Sequence, residues 1–266
     1  MKNVSIFAGH DANIAFADTD NDTYHVIEIE RLVKKRYFRL HVDNSMEDIY
    51  AILSACQNVA KQYFGMDDEY DVFSMPADGG LIPLDLIQQI FPFKEMTTFD
   101  HHRCHAASTF YQSPFKESLI LSYDGGGDDG YFNLYVGNQK GVHHMKKWDN
   151  HDFGGGYLLC GSVIREVAEK SSNILAFSGK LMGLCGYGKP IEGMTDSFKD
   201  LFLKRNYSKI IDSINIPVEK DEETITKIRR KAILNPWENP LGNWLYEGKK
   251  AYDIAATAQA EFFQYS

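Results

Sequence analysis

At 266 residues, with 44% hydrophobic and 24% charged residues, the chain is long enough for one large or two modest domains around a substantial core. Its net charge of −9 argues against general nucleic-acid binding through the phosphate backbone, and no apolar run approaches the ~18 residues of a membrane span. The four cysteines, at 56, 104, 160 and 185, are scattered without a Cys-x-x-Cys pair, which points to buried thiols in a reducing, cytoplasmic setting.

In chain order, residues 3–8 read as a buried strand, Gly9-His10-Asp11 as a tight turn, and Ala12 to Ala17 as a returning strand. A third strand is expected over Tyr24 to Glu30, where Val26, Ile27 and Ile29 supply β-branched bulk. The basic run from Arg31 to Arg39, interleaved with Tyr37 and Phe38, fits either a solvated loop or an anion-contacting loop at the mouth of a site. Ser45-Met46-Glu47-Asp48 is a capping-box-like start, and helical spacing follows as far as Phe64-Gly65. Asp71 to Met75 reads as a short strand, Ile82 to Ile90 as a helix, and Glu95 to Phe99 as a strand feeding the next helix.

That next segment, Asp100-His101-His102-Arg103-Cys104-His105-Ala106-Ala107-Ser108, is the first with metal chemistry in it. His101 and His105 are four residues apart and fall on one helix face, where two imidazoles can hold a divalent metal. An isolated pair at this spacing is more often an ordinary surface feature. Here, however, the apolar strand Leu119 to Tyr123 ends in Asp124 and a run of glycines, a natural place for a third, carboxylate ligand. Asp124 to Asp129 reads as a glycine turn, Tyr131 to Val136 as a returning strand and His143 to Trp148 as a third.

Strand, acidic glycine turn and strand therefore occur twice, at an interval of about 115 residues: Ile6 to Asp11, then Leu121 to Gly126. Two lobes that each begin with such a hairpin resemble the actin-like ATPase folds, in which both turns face the phosphates of a nucleotide. Backbone N–H groups in turns of this kind suit phosphate oxygens, and glycine permits close approach. Gly125, Gly126 and Gly127 are thus candidate nucleotide contacts. Farther on, Phe153-Gly154-Gly155-Gly156 leads into a helix expected from Tyr157 to Lys170. Lys180 stands in a glycine-rich stretch from which it could reach a phosphate, although the spacing is not that of a P-loop. Residues 194–248 read as a polar helical insertion with Pro236 and Pro240 in a loop, and Tyr252 to Tyr265 as an amphipathic helix.

Together these segments resemble the O-carbamoyltransferases of nodulation-factor, cephamycin and tobramycin-type biosynthesis. The resemblance rests on Gly9-His10-Asp11-Ala12, Glu28-Ile29-Glu30-Arg31, His101 to Ser108, Ser113-Pro114-Phe115, Asp124-Gly125, and Gly179 to Leu184 with Tyr187-Gly188. A further match lies at Asp253 to Gln259. Any one motif is weak; the set, in this order, is specific. It implies an α/β, actin-like fold shared with the tRNA threonylcarbamoyladenosine enzymes, with lobes at 1–115 and 116–266, the second incomplete. It also implies metal ligation by His101, His105 and Asp124, with iron(II) the expected ion and another divalent metal the alternative. The catalytic candidates are His10 and Asp11, of which His10 is the better base because an imidazole titrates near neutrality. Lys180 and Gly125 to Gly127 would hold the nucleotide phosphate.

The reaction implied is carbamoyl transfer from carbamoyl-adenylate to the hydroxyl of a small-molecule acceptor. The adenylate comes from ATP and carbamoyl phosphate in a separate C-terminal domain, which is expected to act in cis or in trans. Where this family continues into a Gly-Gly adenosine loop and a further aspartate ligand, the chain ends, as an N-terminal piece or one half of a split enzyme would. On that expectation Tyr252 to Tyr265 exposes an apolar face to a missing partner. Cys185-Gly186 stand where many relatives have Ala-Pro, a change expected to loosen that loop. Two other functions fit less well: a non-catalytic actin-like nucleotide- and metal-binding module, and a tRNA threonylcarbamoyl transferase relative.

Overall fold

The structure, a computed structural model, describes residues 1–40, 44–66, 69–77, 82–127, 129–149, 153–162, 164–168, 174–192 and 248–265. The polar insertion expected at 194–248, with Pro236 and Pro240, lies outside the described residues apart from Gly248. Packing divides the chain into two compact units, Met1–Ser108 and Thr109–Ser266.

The first unit is built on a five-stranded sheet. Strands β1 (Lys2–Phe7), β2 (Asn13–Asp18) and β3 (Thr23–Glu28) form an antiparallel meander. Strands β4 (Tyr70–Pro76) and β5 (Phe93–Phe99) then add in parallel beside β1, giving the order β3-β2-β1-β4-β5. Alternation decides which side chains enter the core: Val4, Ile6, Ile14 and Phe16 are buried, while Asn3, Ser5, Asn13 and Ala15 are only partly so. Helices α2 (Met46–Phe64) and α3 (Leu84–Ile90) supply the crossovers, burying Ile49, Leu53, Cys56, Ala60, Ile87 and Ile90 against that face. Within this core Tyr70 Oη donates to Gln57 Oε1 at 2.7 Å, so a buried polar pair is satisfied internally.

Strand β3 stops two residues earlier than its β-branched pattern suggests. The Ile29 N–H donates to the Ala12 carbonyl at 2.9 Å, and the chain turns into a short helix, α1 (Ile29–Val33), with Ile29 fully buried. Tertiary hydrogen bonding beside the first turn overrides local strand propensity here.

The capping box of α2 forms as its sequence suggests. The Asp48 N–H donates to Ser45 Oγ at 3.2 Å, and the Ser45 N–H returns a 3.2 Å bond to the Asp48 carboxylate. The Ser45 hydroxyl, then the Ser45 backbone N–H, hold the Asp48 carboxyl below its usual range. A depressed acid contributes stability that is present above its unfolded value and lost as pH falls through its folded value. Ser45→Ala should therefore lower the thermal midpoint by about 2–4 °C near neutrality. The difference from wild type should shrink in acid; a difference that is absent, or grows in acid, would contradict this account of the cap.

Helix α4 (His101–Gln112) carries the chain from the first unit into the second. There, β6 (Ser118–Gly127), β7 (Gly130–Asn138) and β8 (Gly141–Trp148) form an antiparallel meander in that order. Phe110 lies over Gly137 so closely that a Cβ on Gly137 would strike its ring. On α5 (Phe153–Ser162), Phe153 meets Tyr123 and Phe132 edge-on, at 6.1 and 6.0 Å between ring centroids. The glycines Gly154 to Gly156 thus lie in the first turns of α5 rather than in a loop before it. The helix ends at Ser162, well before Lys170, and α6 (Arg165–Ala168) follows as a separate short piece.

A 3-10 turn, Ile174–Ala176, leads to α7 (Phe177–Cys185), and the last described element is α8 (Lys249–Tyr265). Helix α8 buries Ala251, Ile254, Ala255 and Ala258 within this unit, where it packs on α5 and α7. Its apolar stripe is therefore used internally rather than displayed, although Phe263 remains 72% exposed. Gly188 approaches this helix closely: a Cβ there would run into the α8 backbone at Tyr252 and Asp253.

None of the four cysteines is in a disulfide. Burial pushes the Cys56 thiol up to about 12 and raises that of Cys160 as well, so both stay protonated. Cys104 and Cys185 are only partly buried, which corrects the expectation of four buried thiols. No helix among the described residues is long and apolar enough to cross a membrane.

Candidate active site

The turn between β1 and β2 is held by backbone. The Leu40 N–H donates to the Ala8 carbonyl at 2.9 Å and the Ala12 N–H to the Phe38 carbonyl at 3.1 Å, with Ala8, Ala12 and Leu40 fully buried. Gly9 is required by proximity, since a Cβ there would come within 2.6 Å of the Phe7 ring. Asp11 adopts a left-handed conformation, φ 58°, and Asn13 Nδ2 donates to its carbonyl at 3.1 Å. His10 and Asp11 project together, Nδ1 to Oδ2 at 2.8 Å, each about half exposed.

The same unit brings the histidine helix to this turn. The Phe7 ring meets His10 edge-on at 5.9 Å and His101 at 6.4 Å, so it stands against both. One turn of α4 places His105 over His101, with their Nε2 atoms 3.0 Å apart. His101 is buried, His102 fully so, and His105 exposed, so the pair opens outward from a packed base. His102 packs edge-on against both neighbours, at 5.6 and 6.3 Å.

This donor pair suits a divalent ion. Two nitrogens bound at about 2.1 Å and at right angles lie about 3.0 Å apart, which is the separation of these Nε2 atoms. Both rings present that nitrogen on one face of the helix.

The basic run is neither a free loop nor a bare cationic patch. Phe38 and Leu40 anchor it in the core, and the Tyr37 N–H donates to Glu30 Oε2 at 2.9 Å. Lys34 and Tyr37 both take positive φ, 56° and 55°. Arg31 pairs with Glu28, Lys35 lies over Phe38 at 5.6 Å and Arg36 over Tyr37 at 5.3 Å. Sequence reading missed Glu30 and Phe7 as organisers of this corner. Glu30 stood in the Glu28-to-Arg31 motif but nothing there pointed to its bond with the Tyr37 N–H, whereas an aromatic two residues before a turn glycine was a usable hint.

In the second unit Asp124 is partly buried and belongs to β6, not to a turn. The strand runs on through Gly125 and Gly126 to Gly127, which pairs with Gly130, and register shifts between Tyr123 and Gly127. The expected glycine turn from Asp124 to Asp129 is thus mostly an irregular strand end. At Gly126, φ is 139°, so a side chain would strain the backbone, and a Cβ would also crowd the Tyr131 ring at 3.1 Å. Asp129 braces this end of the hairpin: its carbonyl accepts from Asn133 Nδ2 at 3.0 Å and its carboxylate from Tyr135 Oη at 3.0 Å. Asn133 Oδ1 in turn lies 3.0 Å from His144 Nε2.

Lys180 is on helix α7 and partly buried, not on a glycine loop. Its neighbours Gly179 and Gly183 have nothing within 4 Å of an added Cβ, so neither is there for packing. The Cys185–Gly188 segment is a hydrogen-bonded turn rather than a loosened one, with Tyr187 N–H to Leu184 O at 3.1 Å and Gly188 N–H to Cys185 O at 3.2 Å.

Residues 16–261 match the family described as carbamoyltransferase N-terminus. Nodulation protein NolNO of Sinorhizobium fredii is 30% identical over 166 residues, covering 60% of this chain and 23% of that protein. Nodulation protein NolO of Bradyrhizobium diazoefficiens is 29% identical over 129 residues, 46% of this chain and 20% of that one. The uncharacterized protein MJ1058 of Methanocaldococcus jannaschii is 28% identical over 168 residues, 56% of this chain and 25% of its own length. The chain thus spans about a quarter of the length of the curated relatives it matches. Among solved structures, the crystal structure of T. kodakarensis HypF aligns with 99% of this chain and 39% of its own at a TM-score of 0.43 and 12% identity. On the match over residues 16–261, the chain belongs to the carbamoyltransferase N-terminus family.

Proposed function

We propose that this chain is the acceptor-side part of an O-carbamoyltransferase, passing a carbamoyl group from carbamoyl-adenylate to a substrate hydroxyl. The observation that carries this reading is the placement of His10 and His101 against the Phe7 ring, with His105 beside His101, in a member of this family. In transfer, the acceptor oxygen forms a bond to the carbamoyl carbon, and the bond from that carbon to the adenylate phosphate oxygen breaks, releasing AMP. His10 takes the hydroxyl proton on its ring, as an imidazole does well near neutral pH. Lys180 and the backbone N–H groups of Gly125 to Gly127 orient the phosphate of the donor. His101, His105 and Asp124 would hold a divalent ion, iron(II) by resemblance. Such an ion supplies positive charge against the charge developing on carbamoyl and phosphate oxygens.

The two meander-led units are read as actin-like lobes, in a cytoplasmic protein that works with a C-terminal adenylate-forming portion in cis or in trans. The test is to incubate the chain, with and without such a portion, with ATP, labelled carbamoyl phosphate and a panel of sugar and antibiotic-core acceptors. Label should appear as a carbamate on an acceptor hydroxyl only when this chain is present. The chain alone should release no pyrophosphate above a control without enzyme. Label found only on amines, or only on tRNA as a threonylcarbamoyl group, would replace this reading with another transferase.

A further inference from the structure

We infer that Asp11 is a positioning residue that holds His10 in the tautomer with its proton on Nδ1, leaving Nε2 bare to accept a proton. This rests on the reading of His10 as the base and deepens it. An ionised carboxylate only accepts hydrogen bonds. At 2.8 Å from Asp11 Oδ2, His10 Nδ1 must therefore be the donor, and a neutral ring has only one N–H to give. The lone pair is then on Nε2.

Consecutive side chains in a strand point to opposite faces, and on a helix they do not meet. His10 and Asp11 meet because Asp11 is left-handed, φ 58°, a conformation uncommon outside glycine. The backbone bonds around it hold that conformation without help from the carboxylate: Ala12 N–H to Phe38 O, Leu40 N–H to Ala8 O, and Asn13 Nδ2 to Asp11 O. A glycine at this position would adopt the same backbone with less strain. What the carboxylate adds is the contact to His10, in a place where the chain carries strain to make it. The Phe7 ring, edge-on to His10, braces the imidazole from the protein side.

The competing possibility is that Asp11 serves the turn alone. Asp11→Gly separates the two, because it keeps the backbone and removes the carboxylate; Asp11→Asn keeps the side-chain shape and can donate as well as accept. The measurement is the nitrogen–proton correlation spectrum of the His10 ring in the chelator-treated 266-residue chain. It is taken at about pH 8.5, where an ordinary imidazole is neutral. In the wild type the Nδ1–H form should dominate, and in both variants the balance should shift several-fold towards Nε2–H. The amide spectrum away from the turn should be unchanged in Asp11→Gly, showing that the fold is intact.

A wild-type ring protonated on Nε2, or an Asp11→Gly ring with the wild-type ratio, would overturn the inference. The readout needs no substrate. If the tautomer is as expected while His10→Asn leaves transfer intact, the positioning contact stands and only the assignment of His10 as base falls.

Discussion

In a transferase reconstituted with this chain, His10→Asn should lower kcat by about 10²–10⁴-fold, the usual contribution of a general base. Thermal midpoint and metal content should stay at wild-type values. The expectation follows from what His10 does and does not touch. Its side chain is 46% exposed and is hydrogen-bonded to Asp11, while the turn beneath is closed by backbone bonds from Leu40 and Ala12. Removing the imidazole therefore takes away a proton acceptor and little packing. If the ring instead ties the turn together, the outcome reverses: the midpoint falls and activity per folded molecule is largely kept. Both quantities measured on one variant settle it.

The second large effect is on metal. His101→Ala combined with His105→Ala should reduce metal per chain from near one to near zero in elemental analysis of protein purified without added chelator. Two nitrogens 3.0 Å apart would form a bidentate grip on a bound ion, whereas an aspartate alone binds an exposed divalent ion weakly in water. The two histidines differ in one respect that the single variants should expose. His105 is at the surface, so His105→Ala should weaken binding with little change in stability. His101 is buried against Phe7 and His102, so His101→Ala should also lower the thermal midpoint. Unchanged metal content in the double variant would remove these residues from the ligand set.

Much of this protein was legible in its residues because the relevant rules are local. Apolar runs on either side of the Gly9-His10-Asp11 turn marked β1 and β2, the Ser45–Asp48 spacing marked the start of α2, and the four-residue interval put His101 and His105 on one helix face. The composition of the Gly9-His10-Asp11 turn likewise announced a chain reversal with reactive side chains at its tip. Where the sequence misled, a distant partner had changed the outcome. Ile29 and Glu30 looked like strand, but the Ala12 carbonyl and the Tyr37 N–H drew them into α1. The glycines after Asp124 looked like a turn, yet Gly127 pairs with Gly130 and extends β6. Glycine around Lys180 suggested a phosphate loop, but Phe177 and Leu181 enter the core and impose a helix.

The amino-acid sequence by itself therefore determined most of the elements and the family, and nominated the candidate reactive residues, since these readings rest on motifs of a few positions each. The tertiary structure alone decided how they are presented. It turned Asp11 left-handed so that its carboxylate meets His10, set the Phe7 ring against both His10 and His101, and pinned the basic run by Phe38 and Leu40. Those contacts join residues up to about a hundred positions apart. Their geometry comes from packing a whole sheet and its helices to high density, which no short-range pattern encodes.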